Sequence, residues 1–159
     1  MRLILCVSLF VVLGCSSTIQ PSKTIKKEEI VFNTISKGTL FGNGIEGIIE
    51  EKFTITNEKQ WQVFLNKINS VNNVSLSFTE TNINFSNHII ICVFDAIRNT
   101  GGYAIEIKRV FVEKNNLNIV YTKKGPGPME MVTTAITQPY HIVKIEKRGE
   151  DHKFINKNQ

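Results

Sequence analysis

Apolar and polar positions along this chain change period several times, and each change marks an element. Leu3 to Gly14 is an almost unbroken apolar run of twelve positions behind Arg2. A bilayer-spanning helix wants roughly 18 or more such residues, so a basic start and a compact apolar stretch predict a secretory leader over 1–14. Residues 16–28 have few apolar groups to bury and predict a flexible tether. From residue 29 the pattern turns to period two, and Ile30, Phe32 and Thr34 share one face of a first strand. Gly38, Gly42, Gly44 and Gly47 punctuate a loop or bulged hairpin before a second strand, Ile48 to Ile55, with Phe53 and Ile55 on one face.

The period then becomes helical. Asn57 with Gln60 three residues on forms a capping-box pattern, and Trp61, Phe64, Leu65 and Ile68 follow at i, i+3, i+4 and i+7. This predicts one amphipathic helix, with Trp61 as its core anchor. Ile89 to Phe94 is apolar without alternation, as a central strand covered on both faces should be. Tyr103, Ile105 and Ile107 alternate with polar neighbours, and Val110 to Val112 continue that strand through a bulge. Asn115-Asn116 predicts a hairpin turn, with Leu117, Ile119 and Tyr121 running back. Lys123 to Pro128 breaks the sheet, Met129 to Thr137 resumes it, and Pro139 to Ile145 makes a closing strand. Residues 149–159 are polar and predict a fraying tail. The expected fold over 29–148 is a single α+β domain, a mostly antiparallel sheet with one packed helix.

Composition changes the picture at the N-terminus. Val12-Leu13-Gly14-Cys15 resembles the lipobox of bacterial lipoproteins, in which a small residue precedes a cysteine that is acylated. Cys15 is therefore the candidate lipidation site. The expected location is the bacterial cell envelope, on the outer membrane, because Ser16-Ser17 supplies no early acidic residue. Formal charge is +5, falling to +4 once Arg2 is removed (18 − 14). Lysines are scattered rather than gathered into a stripe, which argues against a nucleic-acid partner. Cys92 is the single cysteine of the body, so its core cannot rely on an internal disulfide.

Candidate chemistry is sparse. His88 and Cys92 share a strand face but sit roughly 13 Å apart, too far for a nucleophile–base pair. Cys92 among Ile and Val reads as an inert core thiol, and His141 as a ring bonded to backbone or packed at a sheet edge. His152 with Glu150 and Asp151 lacks a ligand spacing that would fix a metal. Asp95, Glu106 and Glu113 would pair only through tertiary accident. Gly101-Gly102 has no helix after it to cradle a phosphate. No catalytic residue, metal or cofactor is expected.

Binding has better material. Gly125-Pro126-Gly127-Pro128-Met129 reads either as a protruding, apolar-tipped loop or as a plain connection between strands. Prolines restrict φ, so less entropy is lost when such a loop docks. Tyr103 and Tyr140 are either core aromatics with a hydroxyl at the sheet edge or interface residues.

Thr100-Gly101-Gly102-Tyr103, the Gly125 to Pro128 loop and Thr137-Gln138-Pro139-Tyr140-His141, in that order, resemble the PrcB C-terminal domain from Val93 to Lys147. Gly101, Gly102, Tyr103, Pro139 and Tyr140 are its motif positions here. Members of that family are small exported proteins or lipoproteins, named after a subunit that supports the stability or assembly of a cell-surface protease complex. The resemblance implies a non-enzymatic, protein-binding accessory, held on the membrane by its N-terminal lipid, with an exported protease as the partner to consider. Direct protease inhibition through the 125–129 loop, and small-ligand or hydrolytic work in a pocket, remain as alternatives.

Overall fold

A computed structural model describes residues 27–158, so the leader, Cys15 and most of the tether lie outside the described residues. The described residues form eight strands and one α-helix: β1 (Glu28–Ile30), β2 (Asn33–Leu40), β3 (Lys52–Ile55), α1 (Glu58–Ile68), β4 (His88–Phe94), β5 (Ala104–Glu113), β6 (Asn116–Lys124), β7 (Gln138–Glu146) and β8 (Asp151–Asn156). The fold is α+β and mostly antiparallel, as expected. Its strands form two four-stranded sheets instead of one, in the orders β2-β7-β4-β3 and β1-β5-β6-β8.

The reason lies in β4 and β7, whose residues are almost all buried. Ile90, Cys92 and Phe94 turn to α1 and pack with Trp61, Phe64 and Ile68. Ile89, Ile91 and Val93 turn the other way and meet Ile105, Ile107, Leu117 and Ile119 of the second sheet. Strands apolar on both faces need a cover on both faces, which gives three layers, helix on sheet on sheet. Asn57 caps α1, its side chain accepting from Gln60 N–H, and buried Trp61 donates its Nε1–H to Thr81 O at 2.7 Å. Burial raises the pKa of the Cys92 thiol, which makes it an inert core group.

Several elements differ from the expectation. The predicted first strand is two: β1 joins one sheet and β2 the other, so the chain changes layer at Val31-Phe32. The tether stops one residue sooner, with Glu28 already paired to Val112. Gly38 lies inside β2, where an added Cβ would stand 3.3 Å from Tyr140 Oη. The second strand is shorter, Lys52–Ile55. Met129 to Thr137 forms no strand beyond one bridge, Arg98 to Thr137, because its apolar residues face outward and find no partner. The strand expected to close the sheet, β7, is central, and the tail does not fray. Phe154 packs against the inter-sheet core, so Asp151–Asn156 adds to β6 as a parallel strand. The β5–β6 turn is Lys114-Asn115, both with positive φ (50° and 62°). The expected bulge is present at Lys108.

Candidate binding surface

Strand register brings three connections to one end of the molecule. Leu40 pairs with Gln138, Lys52 with Val93, Phe94 with Tyr140 and Ala104 with Lys124. Residues 41–51, 95–103 and 125–137 therefore share that end. Gln138 Nε2 donates to Ile48 O at 2.9 Å and to Asp95 O at 3.1 Å, tying the first two loops together. Thr137 Oγ1 donates to Thr100 O at 2.7 Å, and Gly101 N–H to Thr133 O at 3.0 Å, tying the second to the third. Gly102 has φ +84°, and an added Cβ would stand 2.9 Å from Val132 Cγ1 and 3.0 Å from Pro126 Cβ.

An ion cluster braces the same end. The Asp95 side chain is 1% exposed; its Oδ2 accepts from Arg98 Nη2 at 2.8 Å, and Lys123 Nζ forms an ion pair with its Oδ1 at 2.6 Å. Burial by itself would push the Asp95 carboxyl up, but the Lys123 ammonium and the Arg98 guanidinium beside it outweigh that and hold the group below its ordinary value. Lys123 also reaches Glu50 of the first loop. The Arg98 guanidinium lies 4.6 Å over the Tyr103 ring, so the T-G-G-Y turn is fixed by charge and stacking together. Glu46 is buried in the first loop, and neither carboxylate oxygen has a partner among the described residues.

The outer surface of this end gathers large apolar residues among exposed polar ones such as Asn43, Asn99 and Glu130. Phe41, Ile45, Ile49, Ile97, Met129, Met131, Val132 and Ile136 are exposed large hydrophobic residues, and all eight belong to the three loops. Met129 and Met131 are 97% and 98% exposed. Such a concentration differs from the scattered single apolar positions that are ordinary on a protein surface. Within the third loop, Glu130 N–H donates to Gly127 O and Gly127 N–H to Glu130 Oε2, closing a turn at its tip. Pro126 packs inward against Gly102, while Pro128 and Met129 face out. The candidate loop of the sequence is thus one wall of a larger surface. Phe41, Ile45 and Ile49 were not anticipated; large apolar residues interspersed with glycines over 41–49 are the signal that could have pointed to them.

The remaining candidates go elsewhere. Tyr140 is buried, stacked on Phe94 at 5.8 Å, its hydroxyl sharing a 3.0 Å hydrogen bond with Ser36 Oγ. Pro139 is buried beside it. His141, on the other face of β7, accepts from Ile107 N–H through Nδ1 at 2.9 Å at the β5 bulge. Its Nε2 therefore holds the proton and donates to Thr34 Oγ1 at 3.0 Å. Burial, then Lys37, lowers the His141 pKa to about 4. His152 shares a 3.1 Å hydrogen bond with Thr54 Oγ1, and burial lowers its pKa too. Glu106 pairs with Lys37 and Lys108, and Glu113 with Lys27, so neither joins Asp95 in a carboxylate pair.

These loops can be compared with known proteins. Residues 89–146 match the PrcB C-terminal family. The resemblance drawn from T-G-G-Y and T-Q-P-Y-H is borne out over those residues. The matched segment runs from β4 to β7 and contains two of the three loops; Gly101, Gly102 and Tyr103 help knit this end together, whereas Pro139 and Tyr140 lie in the core at the start of β7. The 41–51 loop lies outside it. No curated protein and no solved structure matches the chain.

Proposed function

We propose that this chain is a lipid-anchored bacterial envelope protein whose domain is a non-catalytic, protein-binding module, acting as an accessory to an exported protease complex. One observation carries the reading: the apolar three-loop surface lies opposite the point where the chain enters the domain. Glu28 pairs with Val112 and Lys27 meets Glu113, at the far end of β5 from Ala104. Ten strand residues separate the two ends by roughly 30 Å. A domain anchored at Cys15 and entered at Lys27 offers its loops away from the bilayer, to a partner standing above it. The match of residues 89–146 to an accessory family supports the same role.

Substrate-like inhibition of a protease needs an extended segment that enters a cleft. The tip of the 125–137 loop is instead a closed turn, which favours a docking surface over an inhibitory one. The test is photo-crosslinking in cells. A photoreactive amino acid placed at Met129 or Met131 should yield a discrete protein adduct, and the same group at Val31, toward the tether end, should not. Lipid adducts from Met129, or the same protein adduct from Val31, would contradict the proposal. In parallel, Cys15→Ala should leave an uncleaved precursor or release the chain to the soluble fraction. Unchanged membrane association with an acyl signal still present would remove the lipid anchor from the account.

A further inference from the structure

A second surface lies on another side of the molecule. Of the four edge strands, β1 has three residues, and β2 is bulged beside Ile35 with its outer backbone bonded by Thr79 N–H and Oγ1. The remaining edge of the second sheet, β8, has charged Asp151 and Lys153 exposed along it. Short, bulged, covered or charged edges resist strand addition. β3 is also short, at four residues, but it is neither bulged nor covered along its helix side, and its one charged residue, Lys52, lies over the Tyr121 ring of the second sheet. Phe94 N–H donates to Glu51 O at 2.9 Å, which places residues 51, 53 and 55 in hydrogen-bonded pairs with β4. The backbone groups of Lys52 and Thr54 then point outward, and nothing among the described residues bonds them.

Beside that edge runs an open groove of about 400 Å³ between β3 and α1, walled by Ile48, Phe53, Ile55, Val63 and Phe64. Its helix rim has a regular pattern: Lys59, Val63 and Lys67, four residues apart and all exposed. Lys59 has no carboxylate partner among the described residues, and Lys67 has only a loose contact with Glu51 at 4.0 Å. At 1.5 Å per residue the two lysine positions stand about 12 Å apart along the helix. In an extended strand, residues on one face recur every ~6.8 Å, so positions i and i+4 are about 13.6 Å apart. These two spacings agree.

We propose that the β3–α1 groove takes an extended segment of a protein partner with the pattern acidic-x-apolar-x-acidic, added as a fifth strand to the sheet. The apolar side chain sits against Val63, Phe53 and Phe64. The two carboxylates meet Lys59 and Lys67, and the segment's backbone bonds the free groups of Lys52 and Thr54. The inference rests on the reading of this domain as a protein-binding module; the groove shares Ile48 and Glu51 with the 41–51 loop but uses none of the eight exposed apolar residues of the three-loop surface. Groove variants leave loop-dependent crosslinking intact, and loop variants leave peptide binding intact.

The experiment measures anisotropy of a labelled heptapeptide, Thr-Glu-Thr-Val-Thr-Glu-Thr, with the full-length chain in detergent micelles and empty micelles as blank. The counterpart carries Lys in place of both Glu residues. The acidic peptide should bind about tenfold or more tightly than the basic one. Lys59→Glu should abolish or reverse that preference. Thr54→Pro removes an outward N–H without taking a bond from the β3–β4 ladder, and should weaken binding about tenfold. Hydrogen exchange at Lys52 and Thr54 in the unaltered chain should slow when the acidic peptide is added, a readout independent of how Thr54→Pro folds. Equal binding of the two peptides, no binding up to millimolar concentration, or unprotected amides at Lys52 and Thr54 would overturn the proposal.

Discussion

Lowering the pH from 6.5 to 4 should cost this domain about 3 kcal/mol of folding stability, and His141→Asn should flatten that loss. His141 is neutral in the fold, with its pKa lowered to about 4 first by burial and then by Lys37, with a smaller push from Lys108; Glu106 opposes them. In the unfolded chain the same ring titrates near ~6.5. Between those values the unfolded chain binds a proton that the native ring refuses. The histidine's contribution is therefore whole above the upper value, falls with pH, and is gone below the lower one. Protonation of Nδ1 would also break its bond with Ile107 N–H at the β5 bulge. Asparagine can offer an acceptor there and does not titrate, so the variant should be weaker at neutral pH by about 1–3 kcal/mol but flatter below it. Asp95 enters only at lower pH, since its carboxyl is held below the ordinary range and its stabilisation is lost as pH falls through that depressed value. Urea midpoints taken in half-unit steps would check this. A flat profile in the unaltered protein, or the same slope in His141→Asn, would contradict it.

The second large effect concerns Gly102. Its φ of +84° is strained for a β-branched residue, and the new Cβ would press on Val132 and Pro126 at 2.9 and 3.0 Å. Gly102→Val should lower stability by about 2–3 kcal/mol. Gly149→Val is the control, because nothing lies within 4 Å of a Cβ there. Thermal melts of the two variants should separate by several degrees, about 4–8 °C per kcal/mol for a small domain and less for a larger one. Equal midpoints would mean that the T-G-G-Y turn does not depend on its glycine and that the 125–137 loop relaxes around a side chain.

What was legible in the sequence was local. Unbroken apolar residues from Ile89 to Phe94 announced a strand buried on both faces, and the spacing of Trp61, Phe64 and Ile68 announced the helix that covers one of them. The second cover was not legible, because sheet membership depends on pairings such as Glu28 with Val112 that no local pattern encodes. The tail misled for a related reason. Asp151 to Asn156 has one large aromatic among polar residues, and Phe154 acquires meaning only when β6 lies beside it. Met129 to Thr137 misled in the opposite direction, since apolar residues there serve the surface and not a strand. The family motifs were legible as a set, and they mark the contacts that hold two loops together. The 41–51 loop has no such motif, and it reaches the surface through Gln138 and Lys123.

The central claim is that the three-loop end binds a protein, and the most direct measurement separates binding from folding. Pro128, Met129 and Met131 are exposed, whereas Pro126 packs on Gly102, so the clean variant replaces the first three by serine and spares Pro126. Its thermal midpoint should stay within about 2 °C of the unaltered protein, since exposed loop tips contribute few buried contacts. Recovery of the partner crosslinked from Ile45, on the neighbouring loop, should fall about tenfold or more as the apolar contact and the loop's restricted conformations are lost. Undiminished recovery from a folded variant would contradict the claim, and would leave the β3–α1 groove as the surface through which this domain meets other proteins.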